Sequence, residues 1–161
     1  MIKAILFDLD GTLLPMDEEE FTKGYFKLLC LKLSTHGYEN DKLIKTVWSG
    51  TKLMIKNDGT KTNEQVFWNY FSEVYGKEKL CDLSVFNDFY VNEFKKTKLF
   101  CGENKYAVKL VQTAKKAGFK TILASNPVFP KCGMITRMNF IDLCESDFDY
   151  ISNYSDSHYS K

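Results

Sequence analysis

The sequence predicts an α/β protein in which a small parallel sheet is interrupted by an all-helical insertion. Its 161 residues open with a short apolar run at 2–7, which is typical of a strand buried on both faces of a parallel sheet. Apolar residues at helical spacing follow this run. Later in the chain, a predicted helix is followed by a second run that is typical of a strand. We therefore expect an α/β core from residues 1–14 and 100–161, and a helical domain at residues 15–99.

Four amphipathic helices are predicted in succession within the insertion, because apolar residues recur there every three or four positions. Gly37, the turn at 57–60 and Gly76 separate them, and Thr62 with Gln65 is typical of a capping box before the third helix. The apolar positions are Phe21, Tyr25, Leu28 and Leu29; Leu43, Ile44, Val47, Trp48, Thr51 and Ile55; Val66, Phe67, Tyr70, Phe71, Val74 and Tyr75; and Phe86, Phe89, Tyr90 and Phe94.

The last third of the chain returns to the pattern of a parallel sheet. One apolar face over 107–117 predicts a helix, and Gly118 stands where a left-handed helix stop is needed. The run at 119–124 then predicts a second buried strand. A further helix at 130–140 and a short strand at 148–151 complete the expected core.

Composition restricts the classes of function. Apolar residues make up 44% and charged residues 27% of the chain, as in globular domains, so disorder is excluded. The formal net charge of +1 gives no basic surface for nucleic acid or for an anionic membrane. No apolar stretch approaches the roughly 20 residues of a membrane helix. Five scattered cysteines and two histidines indicate neither a disulfide framework nor a zinc site, and we expect a cytoplasmic protein.

Two carboxylates directly follow the first predicted strand. Asp8 and Asp10 are two residues apart, so in an extended chain they share one side and can converge on one cation or one reacting group. Gly11 then allows a sharp turn, and Thr12 adds a hydroxyl beside backbone amides that we expect to be exposed. Ligands of parallel sheets bind beyond the carboxyl ends of the strands, which is where these residues fall.

A second polar pair follows the strand predicted at 119–124. Ser125 contributes a hydroxyl, and the backbone N–H groups around Ser125 and Asn126 can hold anionic oxygens. This pair also falls beyond the carboxyl end of a predicted strand, at the edge of the sheet where ligands bind.

These motifs resemble those of the haloacid dehalogenase superfamily, whose members typically begin with a hydrophobic strand and the motif DxDGT. The chain carries DLDGT at 8–12, and Ser125 matches the Ser/Thr of the family's second motif. The segment NPVFP at 126–130 looks like the region after that motif in a phosphatase-like branch, and Lys161 looks like the lysine of the third motif. The resemblance implies a Rossmann-like core with an inserted all-α cap.

The resemblance also implies an activity. It makes Asp8 the nucleophile that becomes an aspartyl-phosphate, Asp10 the general acid/base and Lys161 the catalytic lysine. Asp8 and Asp10 are the expected ligands of Mg²⁺, the hard cation that suits carboxylate and phosphate oxygens. The expected phosphate-binding residues are Gly11, Thr12, Ser125 and Asn126. The implied function is Mg²⁺-dependent hydrolysis of a small phosphorylated metabolite, with a phosphomutase left open because both branches keep the second aspartate.

The family's fourth motif, a glycine with clustered aspartates that completes the cation site, is not found in the sequence. The alternative hypothesis is therefore a catalytically incomplete relative that keeps the fold and binds phosphate or a partner. In the family's sheet order, an incomplete core would leave the first strand at an edge. We then expect self-association through residues 2–7, because unpaired backbone groups and apolar side chains favour pairing between chains.

Overall fold

The computed structural model describes residues 2–160 and has a mixed α/β fold. Three short strands form a parallel sheet in the order β1-β2-β3. The strands are β1 (Ala4–Phe7), β2 (Lys120–Leu123) and β3 (Tyr150–Ile151). All three strands point the same way, so their carboxyl ends meet at one edge of the sheet.

Helices make up most of the remaining structure. The α-helices are α1 (Glu18–Ser34), α2 (Asn40–Ile55), α3 (Asn63–Tyr75), α4 (Leu83–Val91), α5 (Ala107–Lys116) and α6 (Lys131–Asn139). Short 3₁₀ helices occupy Lys77–Asp82, Glu93–Phe100 and Glu145–Asp147. Within residues 2–160 no helix combines the length and the apolarity needed to cross a membrane.

Only one face of the sheet is buried. Phe7, Leu123 and Ile151 are adjacent in register and pack in one hydrophobic cluster with residues of α5 and α6. On the opposite face Leu6 is 63% exposed and Tyr150 is 43% exposed. The prediction that the first strand is buried on both faces is therefore wrong, because Leu6 stays largely exposed on this second face.

A second hydrophobic cluster joins α1, α2, α3 and α4, and it consists largely of aromatic side chains. Close helix packing at this cluster depends on two glycines. A Cβ atom at Gly24 would lie 2.1 Å from the ring of Phe100, and one at Gly50 would lie 2.7 Å from the ring of Phe67. Side chains at these positions would force the neighbouring rings to move.

The chain leaves the sheet for the helical segment after Pro15 and returns to it near Gly102, and these two passages are hydrogen-bonded to each other. The N–H of Gly102 donates to the carbonyl of Pro15 at 2.7 Å, and Met16 forms an antiparallel bridge with Cys101. The two ends of the segment that carries α1 to α4 therefore lie side by side.

Most predicted elements of the helical segment are confirmed. The first three helices are present, the capping box of Thr62 and Gln65 is formed, and Gly118 ends α5 with a φ of 83°. The fourth helix was expected to reach Phe94, but it ends at Val91. A 3₁₀ helix follows, and it still buries Phe94 within the aromatic cluster.

Candidate functional site

The two predicted polar groups meet at the carboxyl ends of β1 and β2. The hydroxyl of Ser125 donates to Oδ2 of Asp10 at 3.2 Å, although the two residues are 115 positions apart in sequence. Asp8, Asp10, Ser125 and Asn126 all line one cavity. The parallel pairing of β1 with β2 explains the meeting, because it sets Phe7 opposite Leu123 and brings the two following loops together.

Gly11 and Thr12 shape the turn after β1 rather than line the cavity. Gly11 has a φ of 72°, in the left-handed region that favours glycine. Its N–H donates to the carbonyl of Leu14 at 2.9 Å, and the N–H of Thr12 donates to the carbonyl of Leu9 at 3.2 Å. The expectation that these amides stay exposed for a ligand is therefore wrong. The Thr12 hydroxyl instead donates to Oδ2 of Asp8 at 2.8 Å.

A buried arginine completes the cluster. The Nη1 atom of Arg137, on α6, donates to Oδ2 of Asp10 at 2.5 Å, and the Arg137 side chain is only 1% exposed. Its guanidinium carbon lies 4.2 Å from the centre of the Phe129 ring, and Nη2 donates to the sulfur of Met134. This arrangement places a fixed positive charge beside Asp10.

Sequence reasoning missed Arg137, although one signal for it was present. It is the only arginine in the sequence, among 22 lysines and arginines together. A planar guanidinium can donate in several fixed directions and stack on a ring, which lysine cannot do. A single arginine in a lysine-rich chain therefore indicated a position with a geometric requirement.

One oxygen of the Asp10 carboxylate has the surroundings expected of a ligand to a cation. Its Oδ1 atom is buried and has no hydrogen-bond partner in the described structure, whereas Oδ2 accepts from Arg137 and Ser125. A buried carboxylate oxygen without a donor fits a position beside a hard cation such as Mg²⁺. Within residues 2–160, however, no three His, Cys, Asp or Glu side chains form a group that could hold a metal. Asp8 and Asp10 could hold a cation here only as two of its ligands.

The cavity above these carboxylates has a volume of about 520 Å³ and extends between the sheet edge and helices α1 to α4. Ten of the 21 residues found to line it are aromatic. Two of them, Tyr25 and Tyr90, join their hydroxyls at 3.0 Å. Burial raises the pKa of Tyr25 to about 12, so this hydroxyl stays neutral at physiological pH.

The segment that precedes Lys161 lies at the turn between α2 and α3. The hydroxyl of Ser160 donates to the carbonyl of Met54 at 3.2 Å, and the ring of His158 contacts the carbonyl of Gly59. The second DGT sequence of the chain, at 58–60, is confirmed as a turn here, since Asp58 accepts from Thr60. Lys161 itself lies outside the described residues, so its predicted catalytic role stays a prediction.

Comparison with known proteins adds no relative to this description. No protein-family model matches the chain, and no curated protein matches it significantly.

Proposed function

We propose that this protein is a phosphomonoester hydrolase that works through an aspartyl-phosphate on Asp8. The observation that carries the proposal is the convergence of Asp8, Asp10 and Ser125 with Arg137 at the floor of one cavity, beyond the carboxyl ends of parallel strands. The sequence resemblance to the haloacid dehalogenase superfamily supports the same assignment. In this proposal residues 15–99 are the cap, and residues 1–14 and 100–161 are the core.

The chemistry follows from the two carboxylates. An oxygen of Asp8 attacks phosphorus and forms the P–O bond of an acyl phosphate, while the bond from phosphorus to the leaving alkoxide breaks. The leaving alkoxide takes up a proton from water, and the Asp10 carboxylate, whose Oδ2 accepts from Arg137, then removes a proton from the water that hydrolyses the acyl phosphate. The Thr12 hydroxyl on Oδ2 of Asp8 fixes the orientation of the nucleophile.

The remaining groups bind the phosphoryl oxygens or position the Asp10 carboxylate. The Ser125 hydroxyl and the backbone around Asn126 hold phosphoryl oxygens, and Arg137 holds the Asp10 side chain at the cavity floor. Mg²⁺ held by Asp8 and Asp10 supplies positive charge against the phosphoryl oxygens when it is bound. Lys161 is the further cation that the family resemblance assigns to this site.

The test is hydrolysis of p-nitrophenyl phosphate with and without Mg²⁺. We expect turnover that EDTA abolishes, and a loss of about 10³-fold or more in Asp8→Asn, because the amide cannot act as the nucleophile. Asp58→Asn is the control, since it makes the same change at an exposed aspartate in a turn that does not line the cavity. An Asp8→Asn variant with wild-type turnover would contradict the proposal. Binding of phosphate without any hydrolysis by the wild type would favour the non-catalytic alternative.

A further inference from the structure

The walls of the cavity differ chemically from its floor. Above the carboxylates the lining is aromatic, with Phe21, Phe26 and Trp48 on α1 and α2, Phe67 on α3 and Phe86 on α4. Phe26 and Trp48 contact each other, with ring centres 5.6 Å apart. These wall side chains present apolar surface to whatever occupies the cavity.

The polar tips of the other aromatic residues are already paired. The hydroxyls of Tyr25 and Tyr90 bond to each other, and the indole N–H of Trp68 donates to the hydroxyl of Tyr154 at 3.4 Å. The hydroxyl of Thr51 donates to the carbonyl one turn earlier in its own helix. Beside these groups the wall carries the indole N–H of Trp48 and the hydroxyl of Thr22, which are few polar groups to recognise the several hydroxyls of a sugar.

The charged side chains of the lining also limit which ligands the cavity can bind. The charged residues found in the lining are Asp8, Asp10, Arg137 and Glu18, and Arg137 is already paired with Asp10. Among the lining residues that the structure describes there is no lysine or histidine. A ligand with a second phosphate or a carboxylate would find no cation among the described residues of the upper cavity, and it would meet the carboxylate of Glu18.

We propose that the ligand is a monophosphate ester of an apolar, uncharged alcohol, with its phosphate at Asp8 and its hydrocarbon group among the aromatic walls. The volume of about 520 Å³ is within the range of sites for small molecules. The inference rests on the proposed function for the position of the phosphate, and it goes further by excluding sugar phosphates and bisphosphates as preferred ligands.

Binding of alkylphosphonates tests the inference without requiring turnover. Hexylphosphonate and methylphosphonate share one head group and differ only in chain length, and neither is hydrolysed by phosphoryl transfer. Trp48 and Trp68 are the two tryptophans of the chain and both line the cavity, so tryptophan fluorescence of the 161-residue protein reports occupancy. We expect the Kd of hexylphosphonate to be at least about tenfold lower, because each buried methylene favours binding.

Two variants test whether the preference for the longer chain arises at the aromatic wall. Trp48→Ala removes a wall residue that is 44% exposed, and it should reduce the preference for the longer chain severalfold while Trp68 still reports binding. Leu53→Ala is the matched control on the same helix, since Leu53 is 40% exposed and does not line the cavity. This control should keep the wild-type preference.

The outcomes separate this inference from the proposed function. Equal Kd values for the two phosphonates would overturn the inference whether or not the protein hydrolyses phosphates, and so would hexanol binding as tightly as hexylphosphonate. Chain-length preference without hydrolysis of any phosphomonoester would overturn the proposed function and support the ligand class. In turnover, a higher kcat/KM on glycerol phosphate than on hexyl phosphate would also contradict the inference.

Discussion

At the scale of single residues, the charge balance of the site depends on Arg137. Its buried guanidinium donates to Asp10, stacks on Phe129 and reaches the sulfur of Met134, so three neighbours fix its position. Asp10 in turn accepts from Ser125. Loss of the arginine would leave a partly buried carboxylate without its cation, which costs more than the pair contributes when it is intact.

We therefore expect Arg137→Met to lower the free energy of unfolding by about 3 kcal/mol, measured by urea denaturation. The double variant Asp10→Asn with Arg137→Met should recover part of this loss, because no unpaired charge then stays in the site. Lys120→Met is the control, since it removes the exposed ion pair with Asp149 and should change stability little. An Arg137→Met variant as stable as the wild type would show that Asp10 is not stabilised by this pair.

Part of the site was predictable from the sequence. Asp8 and Asp10 directly follow a strand, and Ser125 follows the next strand of the sheet, so the rule that ligands bind at strand ends was enough to expect them together. Arg137 was not predictable in this way, because it reaches Asp10 from a helix across a distance that no local pattern encodes. The hydrogen bond from the Gly11 N–H to the Leu14 carbonyl was not predictable either, because it depends on the backbone geometry of the turn.

At the scale of elements, the N-terminus of α3 joins the helical segment to the loops of the sheet. Asn63 is completely buried, and its amide donates to the carbonyl of Pro127 at 3.0 Å and to the hydroxyl of Ser160. Its oxygen accepts from Asn57, and its backbone N–H donates to the carbonyl of Ser157 at 2.8 Å. Since Pro127 follows the polar pair after β2, this side chain helps to hold the loop that carries that pair.

Replacement of this residue tests that link. Asn63→Ala removes the donor to the Pro127 carbonyl and one of the two acceptors of the Asn57 amide, and we expect a loss of about 1–3 kcal/mol in the free energy of unfolding. Faster proteolysis within residues 152–160 should accompany it, because this segment packs on the same point. Asn69→Ala is the control, an exposed asparagine on the same helix. Equal stability and proteolysis of the two variants would contradict the role of Asn63.

The elements themselves were more predictable than their contacts. Apolar periodicity located α1, α2 and α3, and capping chemistry located the start of α3, because both are local signals. The change to a 3₁₀ helix after Val91 was not visible in the same periodicity. Phe94 keeps its buried place there through an edge-on contact with Phe21, with ring centres 6.1 Å apart, and this contact depends on the tertiary fold.

At the scale of the whole molecule, the sheet formed by the described residues has an unpaired edge along β1 and one exposed face. Within residues 2–160, β1 has β2 as a neighbour on one side and no strand on its other side. Leu6, Ile122 and Tyr150 are adjacent in register on the face opposite the core, and Leu6 and Tyr150 are well exposed. Strand edges and apolar faces of this kind pair readily with other chains.

We expect a second copy of the chain to cover this edge and face, because a formal net charge of +1 gives little repulsion between copies. Size-exclusion chromatography over a range of protein concentrations should show a concentration-dependent shift to larger species. Leu6→Lys should abolish that shift, since a lysine on an edge strand opposes pairing. Leu99→Lys is the matched control, because Leu99 is 86% exposed but lies in the 3₁₀ helix Glu93–Phe100, outside the sheet. If both variants and the wild type elute as monomers at every concentration, or if both lysines act alike, then β1 does not mediate self-association.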